Sequence, residues 1–150
     1  MIQRIQSVYL LVVTVLLIVC MCTPVGSYIS QDYSVSTFTN LCITGADGAK
    51  DYAPWALFAI LIVAVLLSFT TIFLFKKRML QIRFTIFCTI LLVGYYVTLA
   101  TFIFLLKEDN MTYSASWTVC LPLVAIILNW LAIRAIGKDE VLVKAYDRLR

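Results

Sequence analysis

The sequence predicts an all-α membrane protein, an antiparallel up-down bundle of four transmembrane helices with both termini on the cytoplasmic side. Three observations predict it. Of 150 residues, 63% are hydrophobic and only 13% are charged, about half the charge of an ordinary soluble domain. That charge is also confined. Residues 5–31, 52–75, 84–106 and 110–133 form runs of 27, 24, 23 and 24 residues without Asp, Glu, Lys or Arg, and about 20 helical residues cross a hydrocarbon core. Third, the basic residues alternate between the segments that separate the runs. Ten of the twelve are Arg4, Lys76, Lys77, Arg78, Arg83, Arg134, Lys138, Lys144, Arg148 and Arg150, leaving only Lys50 and Lys107 for the other two segments. Lys and Arg are retained on the cytoplasmic flanks of membrane helices. One face then sums to +7 and the other, with Asp32, Asp47, Asp51, Glu108 and Asp109, to −3.

Taken in order, the first span covers about residues 7–28. Arg4, the apolar run and Val25, Gly26 and Ser27 loosely imitate a secretory signal, but the run is long for one and lacks an A-x-A site. It is expected to remain as a span. Residues 30–51 form an outer loop rich in Ser, Thr, Gly and Asp, with turn signals at Thr44-Gly45 and Asp47-Gly48. Alternation from Tyr33 to Phe38 makes a short hairpin or extended cap the expected local structure. The second span, about 54–75, opens on Pro54, whose missing N–H is no loss at a helix start. A short connection then forces an antiparallel third span at about 84–106. The segment 107–116 turns the chain into a fourth span at about 117–136, with Pro122 in its first turns. Helices rather than strands are required, because open sheet edges cannot face lipid. Tyr28, Tyr52, Trp55, Tyr113 and Trp117 are expected at the outer headgroups and Trp130 at the inner ones. The tail, 137–150, places Leu142, Ala145 and Leu149 on one stripe and pairs Glu140 with Lys144, which predicts a short amphipathic helix on the inner surface. One membrane domain, 1–150, accounts for the whole chain.

Composition narrows function by subtraction. Histidine is absent, which removes the commonest metal ligand and neutral-pH proton carrier. No ionisable Asp, Glu, Lys or Arg lies within the spans, whereas ion-coupled carriers usually keep one there. No cofactor is expected. The excess of positive charge is topological, so no nucleic-acid partner is expected either.

The strongest polar residue inside a span is Asn129. It shares a helix face with Ala125 and Ala132, and an amide among small residues suits interhelical hydrogen bonding. Ala64 with Ser68, and Gly94 with Thr98, are further small-xxx-small pairs expected at helix contacts. Arg4, Lys76, Lys77, Arg78, Arg83, Lys144, Arg148 and Arg150 form a cytoplasmic surface suited to anionic lipid or a partner. Of five cysteines, Cys20, Cys22, Cys42 and Cys120 map to the outer side and Cys88 to the inner. One structural bridge, from Cys42 to Cys22 or Cys120, is compatible with that placement.

Three functions follow. The preferred reading is a non-enzymatic membrane scaffold or accessory subunit, bound to lipid and to another membrane protein or a second copy of itself. A rival is a pore or carrier for a small neutral or lipidic molecule, lined by Ser68, Thr98, Asn129, Tyr95 and Tyr96. The third is a thiol–disulfide oxidoreductase, weakened because Cys20-x-Cys22 is one residue short of C-x-x-C and has no partner pair.

The opening ten residues, MIQRIQSVYL, and the closing run RAIGKDEVLV at 134–143, followed by DRLR at 147–150, resemble a bacterial family catalogued as a domain of unknown function, DUF4293, from Bacteroidota. The resemblance implies four predicted spans and an inner-membrane location, and carries no catalytic residue.

Overall fold

The computed structural model describes residues 2–30, 33–45, 47–74, 77–106 and 111–148. Side chains at 2–6, 139, 140, 144 and 146–148 lie outside the description. The described chain is mostly helical, with α1 at Ile2–Cys22, α2 at Trp55–Phe73, α3 at Arg78–Leu105 and α4 at Cys120–Arg148. Each helix packs against two others: α1 against α2 and α4, and α3 against the same pair. Three helices are long and apolar enough to cross a membrane, Trp55–Phe73, Arg78–Leu105 and Trp117–Val143, while the apolar stretch Ser7–Cys22 is shorter.

The first span is expected to reach residue 28, but α1 stops at Cys22. Pro24 disfavours helical backbone at the residue before it, and Thr23 closes the last turn by donating both its amide and its hydroxyl to the Val19 carbonyl. The chain then becomes a strand. β1 (Gly26–Ser30), β2 (Val35–Phe38), β3 (Ile43–Thr44) and β4 (Lys50–Asp51) precede α2, and β5 (Met111–Ala115) joins α3 to α4. They form one antiparallel sheet in the order β4-β3-β2-β1-β5. The outer loop is thus a built sheet, and the turn expected at 107–116 supplies its fifth strand. Met-Thr-Tyr-Ser-Ala has the alternation of a half-buried strand, with Met111 and Tyr113 partly buried and Thr112 and Ser114 exposed.

Cross-strand register sorts the two faces. Tyr28 lies opposite Tyr113, and Tyr28, Phe38 and Tyr113 form a three-ring cluster with centroids 5.3–6.4 Å apart. Tyr28 and Tyr113 therefore pack on the sheet's inner face, whereas Tyr52, Trp55 and Trp117 are exposed. On the opposite face, Lys50, Thr44, Thr37, Ser27 and Ser114 align across all five strands. The β1–β2 turn uses Tyr33 at φ 58° and the β3–β4 turn uses Gly48 at φ 76°.

Two helix boundaries also differ from expectation. α3 begins at Arg78 instead of 84, because Arg, Met, Leu and Gln are good helix formers and charge does not end a helix. α4 runs through Gly137 to Arg148 without interruption. The tail is a continuation of the fourth helix, and no separate C-terminal helix forms among the described residues.

Gly26 and Gly94 make a matched pair. A Cβ on Gly26 would stand 2.6 Å from the Tyr113 ring and 2.7 Å from the Ser114 carbonyl, whereas one on Gly94 would meet nothing within 4 Å. Gly26→Ala is expected to cost ~1–3 kcal/mol through overpacking. Gly94→Ala is expected to stabilise by up to ~1 kcal/mol, since alanine is the better helix former. Thermal unfolding of both variants in one detergent, followed by circular dichroism, checks the contrast.

Candidate functional site

Two groups of buried polar residues stand out against the apolar helices. The first joins sheet to helices. Asn40, wholly buried in the β2–β3 connection, donates from Nδ2 to the Cys20 carbonyl at 2.7 Å. Its Oδ1 accepts from the Tyr95 hydroxyl, also at 2.7 Å. The last carbonyls of a helix have no partner within it, so Asn40 caps the end of α1 and Tyr95 of α3 holds the cap in place. The Tyr96 hydroxyl donates to the Val119 carbonyl, tying α3 to the 3₁₀ turn at Trp117–Val119 that opens α4. Around this joint the interior is apolar: Leu17, Leu57, Leu61, Leu92 and Val25 are fully buried.

The second group lies at the other end of the helices, the sheet-distal half. Thr14 on α1, Ser68 and Thr71 on α2, Gln81 and Thr85 on α3, and Asn129 on α4 are all buried. Thr14, Thr71 and Thr85 donate to carbonyls four residues back in their own helices. Ser68 and Thr14 meet across the α1–α2 contact at 2.9 Å. Asn129 is 1% exposed, yet among the described residues neither its Oδ1 nor its Nδ2 has a hydrogen-bond partner. The Cys88 thiol, which lies within reach of that amide, is turned to the Ala64 carbonyl, 3.7 Å away.

The residues singled out from sequence fall unevenly on this plan. Ala64, Ser68, Ala125, Asn129 and Ala132 are all buried. Gly94 and Thr98 are half-buried, with open space at Gly94 and the Thr98 hydroxyl bonded to the Gly94 carbonyl of its own helix. That pair therefore marks no close helix contact. All five cysteines are free thiols, so no bridge joins Cys42 to Cys22 or Cys120; Cys22 and Cys120 are exposed. Of the basic surface, Lys77 and Arg83 are exposed and Arg78 is half-buried. Arg4, Lys76, Lys144, Arg148 and Arg150 have side chains outside the described residues. The Arg134 guanidinium lies over the Trp130 ring, 4.4 Å from its centroid.

Asn40, Thr14, Thr71, Gln81 and Thr85 were not singled out. Gln81 and Thr85 carry a readable signal, being four residues apart on the apolar face that continues to Cys88, Leu92 and Tyr95. Asn40 carries none, since one amide in a polar loop looks like any other. Among the cavities lined by described residues, two stand out. One of about 490 Å³ lies at Gly137, Lys138, Val141 and Leu142. The other, of about 250 Å³, lies at the strand ends beside Pro24, Ser27, Thr37 and Ser114. Neither touches Ser68, Thr98, Asn129, Tyr95 or Tyr96.

With this geometry in view, the comparison with known families is direct. The chain matches the DUF4293 model, a domain of unknown function, over residues 2–149, and it belongs to that family. No curated protein matches it.

The polar joint makes distinct demands on its members. Asn40→Ala leaves the Cys20 carbonyl and the Tyr95 hydroxyl without partners and is expected to destabilise by ~2–4 kcal/mol in sum; Tyr95→Phe is expected to cost less, since it strips only one bond. A double-mutant cycle on thermal or denaturant midpoints checks the coupling. By contrast the Tyr28 hydroxyl is buried without a partner among the described residues, so Tyr28→Phe is expected to be neutral or stabilising in the same assay. Burial raises the phenol of Tyr28 above its ordinary value, and burial together with the neighbouring Tyr28 raises that of Tyr113. The folded state thus favours the neutral phenols. Stability is expected to be flat below pH ~10 and to fall as pH rises past the unfolded tyrosine value, where only the unfolded chain ionises readily. Unfolding midpoints measured across that range check the sign.

Proposed function

We propose that the protein is a multi-pass scaffold or accessory subunit of the bacterial inner membrane, without catalytic activity of its own. In this reading all four helices span, as an antiparallel bundle with the sheet outside and both termini in the cytoplasm. The observation that carries it is the outward face of the helices. Val8, Leu11, Val12, Val15, Ile18 and Val19 on α1 are exposed, as are Ile62, Leu66 and Phe69 on α2. Ile86, Ile90, Val93 and Val97 on α3 and Leu123, Val124, Ile127 and Leu131 on α4 continue the same apolar belt. Soluble monomers rarely expose contiguous apolar patches above a few hundred Å². α1 shares the belt, and its 21 residues measure about 31 Å, so it fits a bilayer although its apolar part is shorter than those of its neighbours. The asymmetry of Lys and Arg supplies the orientation.

A scaffold reading is supported by what the interior holds. Among the described residues the buried polar side chains are hydroxyls and amides; Asn40 with Tyr95 joins the helices to the sheet, and Thr14 with Ser68 joins one helix to another. A partner would meet the basic sheet-distal rim around Lys77 and Arg83, together with the exposed Val141, Leu142 and Val143 on the last turns of α4. The rival carrier reading is favoured by one observation, the unpaired amide of Asn129.

Orientation and solvent are both testable. The chain is expected in the carbonate-washed membrane fraction. Reporter fusions after Lys77 and at the C-terminus are expected to be active only in the cytoplasm, and a fusion within the β3–β4 turn only outside it. Recovery from a detergent-free supernatant, or the reverse pattern of reporters, overturns the reading.

A further inference from the structure

We infer that the β5 edge of the sheet is a pairing surface for a second copy of this chain, β5 running antiparallel to β5 about a two-fold axis. The hydrogen-bond register decides which groups of that edge are free. β5 is the last strand on its side of the sheet, and just beyond it the Ser116 amide donates to the Val25 carbonyl. Hydrogen-bonded pairs in an antiparallel ladder recur at every second residue, so Ser27 bonds Ser114 and Ile29 bonds Thr112. Alternate residues of a strand direct their backbone groups to opposite sides. The N–H and C=O of Met111, Tyr113 and Ala115 therefore point away from β1. Among the described residues no hydrogen bond meets them, and a row of such groups is a template for another strand.

The two edges of the sheet differ in a way that selects this one. β4 is only Lys50 and Asp51, and a short, charged strand is one means by which sheets discourage pairing. β5 runs for five residues without charge or proline, and its register with β1 has no bulge. Self-complementarity selects the occupant. The free groups are symmetric about Tyr113, so a two-fold axis there sets Met111 against Ala115 of the second copy and Tyr113 against its counterpart. Every free N–H then meets a free C=O, and no like charges are opposed. The faces agree too: Thr112 and Ser114 continue the exposed face, and Met111 and Tyr113 the partly buried one. An axis perpendicular to the sheet leaves the inner faces of both copies on one side. Both helix bundles then stand on that side, as two chains in one bilayer must. Apolar surface adjoins the strand at both ends. Phe104 and Leu105, which close α3, and Trp117 beyond β5 are among the most exposed hydrophobic side chains of the chain. The inference deepens the scaffold reading by naming the partner, and it rests on that reading only for the shared bilayer.

Cross-linking by position tests it. In the pairing, Thr112 lies opposite Ser114 of the second copy as a non-hydrogen-bonded pair with Cα atoms about 4.5 Å apart, within reach of a disulfide. Two copies of Thr112, or of Ser114, are offset by two residues and stand more than about 7 Å apart, beyond that reach. Full-length chains carry Cys22→Ser and Cys120→Ser, which removes the exposed native thiols. Two differently tagged forms, one with Thr112→Cys and one with Ser114→Cys, are co-expressed and oxidised in membranes with copper phenanthroline. The mixed pair is expected to form disulfide-linked dimers at least about tenfold faster than either form with itself. Ala115→Pro in both forms deletes an outward N–H and spares the β1 ladder, as proline does on edge strands, and is expected to slow the mixed reaction by a similar factor. Equal rates for mixed and like pairs, an unslowed reaction with Ala115→Pro, or cross-linking only to a different protein overturns the inference. Should Ala115→Pro not fold, the mixed and like pairs decide alone. Reporters that reverse the orientation would sink the proposed topology and leave the pairing standing, while failed cross-linking in correctly oriented chains would sink the pairing alone.

Discussion

The carbonyl of Cys20 has to find a donor, and the position of the whole sheet follows from where it finds one. α1 ends two residues later, so no amide of its own helix can reach back to that oxygen, and at the edge of an apolar interior water is a poor substitute. The donor comes from Asn40, twenty residues on and on the far side of a hairpin. To deliver it, β2 must run back antiparallel to β1, which places Phe38 over the end of the helices. Tyr95 then fixes the amide from α3. One side chain thus links α1, α3 and the β2–β3 connection, and the remaining strands extend the sheet from there. β5 is drawn in by the same logic, as the Val25 carbonyl accepts from the Ser116 amide and the Tyr113 ring covers Gly26.

The two ends of the helices solve the problem of burying polarity in opposite ways. Near the sheet, few polar groups are buried, and Asn40 and Tyr95 are paired across elements. Away from it, polar groups are more numerous, and Thr14, Thr71 and Thr85 bond carbonyls of their own helices. Threonine makes this economical, since a hydroxyl bonded to the carbonyl four residues back needs no partner on another helix. Such residues leave helices free to shift against one another, whereas the Asn40 joint does not.

The helical part of this fold is legible in the sequence because it depends on solvent alone. Uninterrupted apolar runs of about the thickness of a bilayer announce themselves, and their boundaries err only where local chemistry intervenes. Pro24 ends α1 early, and the helix-forming run at 78–83 starts α3 before the charge gives out. The sheet is less legible. Strand β2 shows its alternation and the turn at Gly48 shows its glycine, but the pairing of β1 with β5 joins segments more than eighty residues apart. Gly-Ser-Tyr-Ile-Ser reads as the end of a span until the opposing strand is known. Asn40 is hidden for the same reason: its importance lies in what it reaches.

Asn129 and Ser68 look alike in the sequence, each a polar residue on a helix face with small neighbours, and each suited to holding two helices together. The structure separates them. Ser68 meets Thr14 on the next helix and so performs the linking role that small polar residues serve within membranes. Asn129 has the same opportunity and does not take it. Ala125 and Ala132, one turn to either side on its buried face, let the neighbouring helices come near, yet no hydroxyl or carbonyl is aimed at the amide. Packing alone would be served as well by leucine, which has similar volume and no polar group to satisfy. The Cys88 thiol beside Asn129 reaches the Ala64 carbonyl of α2 instead, so at 129 a polar group is buried without linking helices, whereas at 68 it links them.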